Sequence, residues 1–239
     1  MLSFGGGEKA VKNSLTQTIY HNEVSKEEKM RISRIRICLA IVLILMASAS
    51  AMAIEISGVG IKAGMNFARL SGPDVDPEWK YRMAIVGGGF FTLKLNDLLA
   101  IQPEILYSQK GPKWDAPIDG VAFVGTVNLE YLEIPILVKI LIPVGANAKI
   151  RPNLFAGPYM GFKMGARLKY TWGSTSDDRT IDGIKGTDLG YVFGGGFDFV
   201  VGKGKITLDV RYGMSFSTIS TDSTEKNQTI SAMFGYSFK

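Results

Sequence analysis

After residue 54 the chain alternates apolar and polar side chains with a period of two. In Ile61-Lys-Ala-Gly-Met-Asn-Phe67 the odd positions are apolar or small and the even ones polar or small. Tyr81, Met83, Ile85, Phe91, Leu93 and Leu95 share one face of the next run, with Arg82, Thr92, Lys94 and Asn96 on the other. Ile101, Ile105 and Tyr107 then oppose Gln102, Glu104, Ser108 and Lys110, and Leu132, Ile134, Ile136, Val138 and Ile140 oppose Tyr131, Glu133 and Lys139. The second half repeats the pattern. Ile150, Leu154, Met160, Phe162 and Met164 oppose Arg151, Asn153, Tyr159 and Lys163, while Tyr191, Phe193, Phe197 and Phe199 oppose Asp188 and Asp198. Ile206, Leu208, Val210, Tyr212, Met214 and Phe216 oppose Lys205, Thr207, Asp209, Arg211 and Ser215. Last, Ile230, Phe234, Tyr236 and Phe238 oppose Thr229, Ser231 and Ser237. Side chains alternate across a strand, so these runs predict eight strands, each long enough to cross a bilayer at the usual tilt.

The connections alternate as well. Short turns fall at residues 96–97, 143–147 and 202–204, and long polar loops at residues 71–80, 111–120, 167–186 and 220–227. Period two does not say which face is inside. A soluble sandwich or lipocalin-like barrel would bury the apolar face, whereas a transmembrane barrel turns it to lipid. The loop asymmetry favours the second, and so does the placing of Phe67, Tyr81, Tyr107, Tyr212, Phe216, Tyr236 and Phe238 near strand ends, where interfacial girdles belong. The expected fold is therefore all-β: an eight-stranded antiparallel up-and-down transmembrane β-barrel, whose even strand count puts both termini on the short-turn, periplasmic side. Pro103, Pro135, Pro152 and Pro158 fall inside these strands and each removes a ladder donor, a loss that bulges or strand ends could absorb.

Residues 1–53 read differently. Arg31, Arg34 and Arg36 precede an apolar stretch at residues 37–46, and Ala51-Met52-Ala53 is a small-x-small cleavage pattern. This predicts a signal peptide over 30–53, against the rival of a retained membrane helix, for which 17 uncharged residues are short. Residues 1–29 are polar and patternless, either a disordered extension or a sequence upstream of a true start at Met30. The domain boundaries are then 1–29, 30–53 and 54–239, the last being the barrel.

Composition sharpens this in two ways. Of the formal charge of +5, residues 1–53 contribute a surplus of 3, and the remainder carries 20 basic against 18 acidic side chains. That balance gives no reason to expect nucleic acid as a partner. Second, the only Cys (Cys38) and the only His (His21) lie before residue 54. A processed chain would therefore lack Cys/His zinc sites, Ser-His-Asp or Cys-His catalysis and His-ligated haem. No cofactor is expected.

Several stretches resemble the Bacteroidota-type outer-membrane β-barrel family that includes PorT-like porin-family proteins. They are Ile101-Gln-Pro-Glu-Ile-Leu-Tyr-Ser-Gln-Lys-Gly111, Tyr131-Leu-Glu-Ile-Pro-Ile-Leu-Val-Lys139, Ala156-Gly-Pro-Tyr-Met-Gly161 and Leu208-Asp-Val-Arg-Tyr-Gly213. The resemblance begins near Gly58. It implies a barrel of about eight strands that tolerates these prolines, has no established activity, and is inserted by the outer-membrane barrel-assembly machinery. Such barrels commonly end on an aromatic residue; here Lys239 follows Phe238.

With the apolar face to lipid, the lumen would collect Lys62, Arg82, Lys94, Glu104, Glu130, Glu133, Lys139, Arg151, Lys163, Asp198, Asp209 and Arg211. An eight-stranded barrel is just wide enough for its side chains to fill, so these charges must pair. Glu104, Glu133, Lys139, Arg151, Asp209 and Arg211 are the expected structural network. Glu104 and Glu133 could also be a general acid–base pair, but their mid-strand positions among cations favour the structural reading. Gly87-Gly-Gly89 and Gly194-Gly-Gly196 superficially resemble phosphate loops; with no helix following, they are expected to serve bending or close packing. Asp74, Asp76 and Glu78, and Asp177, Asp178 and Asp182, are oxygen clusters of the kind Ca²⁺ uses, although solvated charge or contact with cation-bridged lipopolysaccharide suits them better, and no metal site is expected. The expected function is a small non-enzymatic outer-membrane barrel with a charge-plugged lumen. Its long loops would serve adhesion, a protein partner or envelope integrity, and its surroundings would be outer-membrane lipid and lipopolysaccharide. The alternative is a narrow pore or a secretion-apparatus component. A membrane-embedded hydrolase or acyltransferase is the third reading, weakened by the missing His.

Overall fold

The computed structural model describes residues 55–238 apart from positions 74, 77, 119–120, 146–147 and 174. The expected signal peptide and extension lie outside the described residues. Ten strands follow in order: β1 (Glu55–Ser71), β2 (Arg82–Lys94), β3 (Leu99–Lys110), β4 (Lys113–Ile118), β5 (Val121–Leu141), β6 (Ile150–Trp172), β7 (Thr175–Thr180), β8 (Thr187–Val201), β9 (Gly204–Ser215) and β10 (Lys226–Phe238). All pairings are antiparallel. Eight of the strands close a ring: β1 pairs β2, then β3, β5, β6, β8, β9 and β10 follow in order, and β10 returns to β1 along a continuous register from Val59↔Phe238 to Ser71↔Lys226. Closure satisfies every strand edge within the ring, as lipid requires, because the hydrocarbon offers no hydrogen bonds.

Which face is inside is now settled by burial. Ile61, Val210, Phe234 and Met83 are 71, 61, 55 and 61% exposed on the outer surface. Glu104, Lys62, Asp209 and Arg211 are 1, 4, 3 and 5% exposed in the lumen. A water-soluble barrel would show the reverse. Apolar groups left in water at about 25 cal/mol per Å² make this arrangement stable only where the outer face meets hydrocarbon.

Two segments expected to be loops are strands. β4 lies against β5 from Lys113↔Thr126 to Ile118↔Val121, continuing the edge of β3 beyond Gly111. β7 lies against β6 from Arg167↔Thr180 to Trp172↔Thr175, continuing the edge of β8. β5 and β6 pair along this stretch too, out to Phe123↔Trp172. The wall therefore rises on its long-loop side into a four-stranded sheet ordered β4-β5-β6-β7. The opposite end has only short connections between β2 and β3, β5 and β6, and β8 and β9. The strand prolines do not sit in bulges, and Pro152 lies at a strand end, the third residue of β6. The β3–β5 register is unchanged from Pro103↔Ile136 to Leu106↔Glu133, and only the pairs between them lapse, where Pro135 lacks its donor. Bulges lie elsewhere, at Ile56/Gly58 and at Glu130/Tyr131, the second where the wall passes into the upper sheet.

Candidate functional site

Inward-facing residues of all parts of the ring meet in the lumen, where they form two ion-paired layers. In the first, Lys62 on β1 places its Nζ 2.8 Å from Glu104 Oε1 on β3 and 2.6 Å from Asp209 Oδ2 on β9. Arg211, two residues along β9, donates from its two terminal nitrogens to Glu104 Oε2 at 2.7 Å and Asp209 Oδ2 at 3.1 Å. Two cations and two carboxylates thus share one buried cluster. Gln102 Nε2 adds a bond to Glu104 Oε1 at 2.6 Å, and Lys139 Nζ donates to Gln102 Oε1 at 3.2 Å with Asp198 Oδ1 3.8 Å away. The Arg211 guanidinium also lies over the Phe155 ring, 5.2 Å from its centroid. Gly194 makes room for that ring: a Cβ there would stand 2.9 Å from Phe155 Cε2 and 2.3 Å from Val210 O. The two glycine triplets lie within β2 and β8, and Gly88, Gly194 and Gly196 serve such close approaches to the neighbouring strand's backbone.

The second layer lies nearer the upper sheet. Lys110 on β3 pairs with Glu133 on β5 and, at 2.9 Å, with Asp188 Oδ2 on β8. Its Nζ stands 4.3 Å from the centroid of Tyr159, whose hydroxyl lies 2.7 Å from Ser215 Oγ. Asn227 Nδ2 donates to the same Asp188 oxygen at 3.2 Å. Between the layers there is a void of only about 10 Å³. Above the second layer Leu70, Leu129, Tyr131, Ala166 and Ile219 form an apolar plug, backed by Val75, Trp79 and Ile184.

The sequence-predicted residues divide accordingly. Glu104, Asp209 and Arg211 meet in one cluster, and Lys139 borders it. Glu133 belongs to the other layer, so Glu104 and Glu133 are not a pair facing a common substrate. Arg151 stands outside both: it is exposed at the periplasmic end of β6, with no hydrogen-bond or ion-pair partner among the described residues. Glu130 turns outward, since the odd positions of β5 face the lumen. Arg82 caps Lys110 O at 2.7 Å, Lys94 pairs with Asp97 at 2.6 Å, and Lys163 reaches Ile184 O at 2.6 Å, all away from the central cluster. Lys110 and Asp188 were not among the expected lumen charges, although both fall on the polar side of their alternations.

The upper sheet carries a row of rings on the face that continues the lumen wall. Trp79 and Trp114 lie 6.2 Å apart, Trp114 and Phe123 6.3 Å, and Phe123 and Tyr170 6.3 Å. Trp114 occupies the space over Gly125, where a Cβ would come within 2.1 Å of the ring. Charges flank the row. Asp177 accepts from Tyr170 Oη at 2.7 Å and Arg179 Nε at 2.8 Å, and these bonds, the tyrosine's foremost, hold its carboxyl below the ordinary value. Asp115 is lowered likewise, chiefly by its hydrogen bond from Lys80. Asp178 meets Lys169 at 3.5 Å, and Asp76 accepts the Glu78 amide at 2.9 Å; among the described residues no three potential ligands converge as a metal site would need.

A closed ring with lipid-facing apolar residues, an ion-paired interior and one end extended is an outer-membrane β-barrel. The family model described as "Outer membrane protein beta-barrel domain" matches residues 50–221, and the chain belongs to that family, in the bacterial outer membrane. Similar solved structures include Ail of Yersinia pestis (13% identity, 77% of this chain and 100% of that one, TM-score 0.40). Neisserial surface protein A (13%, 76% and 96%, 0.41) and OprG from Pseudomonas aeruginosa (12%, 78% and 98%, 0.42) are similar to it as well. Among curated proteins nothing matches.

Proposed function

We propose that this is a non-enzymatic barrel whose lumen is a structural plug and whose function lies on the extracellular sheet, as a surface for adhesion or for a protein partner. The observation that carries this reading is the lumen itself. Two ion-paired layers and an apolar lid leave about 10 Å³ between the layers, room for no more than a single water. A carboxylate acting as acid or base must reach its substrate, and Glu104 is sealed by Lys62, Arg211 and Gln102. The exposed Arg167 and Lys169 on the upper sheet suit the phosphates of lipopolysaccharide, which would steady the protein in the outer leaflet.

The test is conductance of the purified protein in planar bilayers. The plugged reading expects no unitary currents across the physiological range of voltage. Steady ohmic steps would sink it and turn attention to the alternative of a narrow pore or a secretion-apparatus component, in which the two layers would have to part.

A further inference from the structure

On the periplasmic side of the ion-paired layers the lumen widens into a blind vestibule of about 440 Å³. That is within the range of small-molecule sites, which are concave and mix apolar walls with a few placed polar groups. Its lining is divided by chemistry. Lys139 stands at the closed end and is 2% exposed. Lys205, whose Nζ reaches Ser57 O at 3.3 Å, and Arg151 line the side wall. Asp198 is the carboxylate among them, and Lys94 and Asp97 at the mouth neutralise one another at 2.6 Å. Leaving Lys205 aside, Lys139 and Arg151 are two cations facing one carboxylate. Arg151 stands directly across the β6–β8 ladder from Asp198, yet the two form no ion pair. Its fork of donors is left unengaged by the described residues.

The other side of the vestibule is apolar. Leu98 from the β2–β3 turn, Ile142 and Val144 from the β5–β6 connection, and Leu141 and Phe90 from the walls line it together. Leu98, Ile142 and Val144 are 51, 40 and 41% exposed, so this surface lacks a cover.

We propose that the vestibule is a binding site for an oxyanion, a phosphate or carboxylate, carried as the head of a short-chain amphiphile. The surplus of positive charge selects the head, and a guanidinium with free donors grips such a group in two-point fashion. The enclosed end of the lumen strengthens that attraction relative to open water. The apolar side receives the chain, removing exposed leucine, isoleucine and valine surface from water. This site is at the opposite end of the barrel from the extracellular sheet, and the inference does not depend on what that sheet binds.

The experiment is titration calorimetry on the full barrel in non-ionic detergent, with inorganic phosphate and hexyl phosphate as probes. Hexyl phosphate should saturate a single site and bind more tightly than inorganic phosphate. Arg151→Gln should weaken it about tenfold, the loss of one good charge-assisted contact, with no change in thermal unfolding midpoint, because Arg151 supports nothing else. Leu98→Ser should weaken hexyl phosphate several-fold and leave inorganic phosphate unchanged. Equal affinities for the two probes, still weakened by Arg151→Gln, would keep the oxyanion site and overturn its amphiphile. Absence of saturable binding by either probe, or binding indifferent to Arg151→Gln, would overturn the site altogether.

Discussion

The barrel wall and the sheet that rises from it share strands β5 and β6 and the same alternation of side chains, yet they use it in opposite senses. In the wall Val138, Ile140, Leu154 and Met160 point outward and are 49, 50, 53 and 42% exposed, while Lys139, Asn153 and Tyr159 point inward. Past the bulge at Glu130/Tyr131 the inward face becomes the apolar one, with Val127, Phe123 and Tyr170, and the outward face carries Arg167, Lys169 and Asp178. The change follows the solvent. Below, hydrocarbon rewards an apolar exterior; above, water does not, and the rings must cover one another. One pair of strands thus records where the membrane stops.

This contrast can be tested first where it is steepest. Glu104→Ala would leave Lys62 and Arg211 buried without their shared carboxylate, and should cost about 3–5 kcal/mol in urea unfolding from detergent. Arg211→Ala, which strands Glu104 and Asp209, should cost about as much. Unchanged midpoints would mean the lumen charges are solvated, and the plug would lose its basis. Next comes the lipid face. Val210 lies between Asp209 and Arg211 on the outer side of the same layer, so Val210→Lys should cost about 2–4 kcal/mol in a bilayer. The same change at exposed Thr171 of the upper sheet should stay within about 0.5 kcal/mol. Equal costs would mean that the boundary is misplaced.

The smallest effect is one of pH. The Asp177 carboxyl is held below its ordinary value by Tyr170 and Arg179, so its bonds contribute fully above the unfolded carboxylate pKa of about 3.9 and are lost as pH falls through the lower folded value. Amide-exchange protection around β7 should therefore be flat from neutrality to about pH 4 and decline below it, and Asp177→Asn should remove that dependence. A decline already between pH 7 and 5 would assign the effect to another group.

Much of this was legible in the alternation, and the remainder was not for definite reasons. Period two located the eight ring strands without orienting them; the loop asymmetry and the strand-end aromatics turned their apolar faces outward, and burial agrees. Thr175-Ser-Asp-Asp-Arg-Thr180 has no apolar stripe and reads as loop; it is a strand only because β6 extends beside it and offers a ladder. β4 was hidden by Pro117 and the preceding Gly111-Pro112. In the lumen, Glu104, Asp209 and Arg211 could be grouped by parity, but partner choice depends on height within the ring. Height separates Glu133 from Glu104 and leaves Arg151 in the vestibule wall below both layers, and no single strand records it. Lys110 and Asp188 had the right parity but lay at strand ends, where a sequence gives no warning that a lid of Leu70, Leu129 and Ile219 will bury them.

The seam between β1 and β10 has a consequence for how such a chain comes into being. Ser231 donates to Asn66 across it, although 165 residues separate them. Contacts that distant carry a large loop-closure cost and form late. During synthesis β1 emerges long before its neighbour exists, and a polypeptide cut short of Lys226 would present two unpaired edges with apolar faces still showing. Closure by β10 therefore makes the ring all-or-none: until the segment 226–238 is in place, no arrangement of the other seven staves covers both edges.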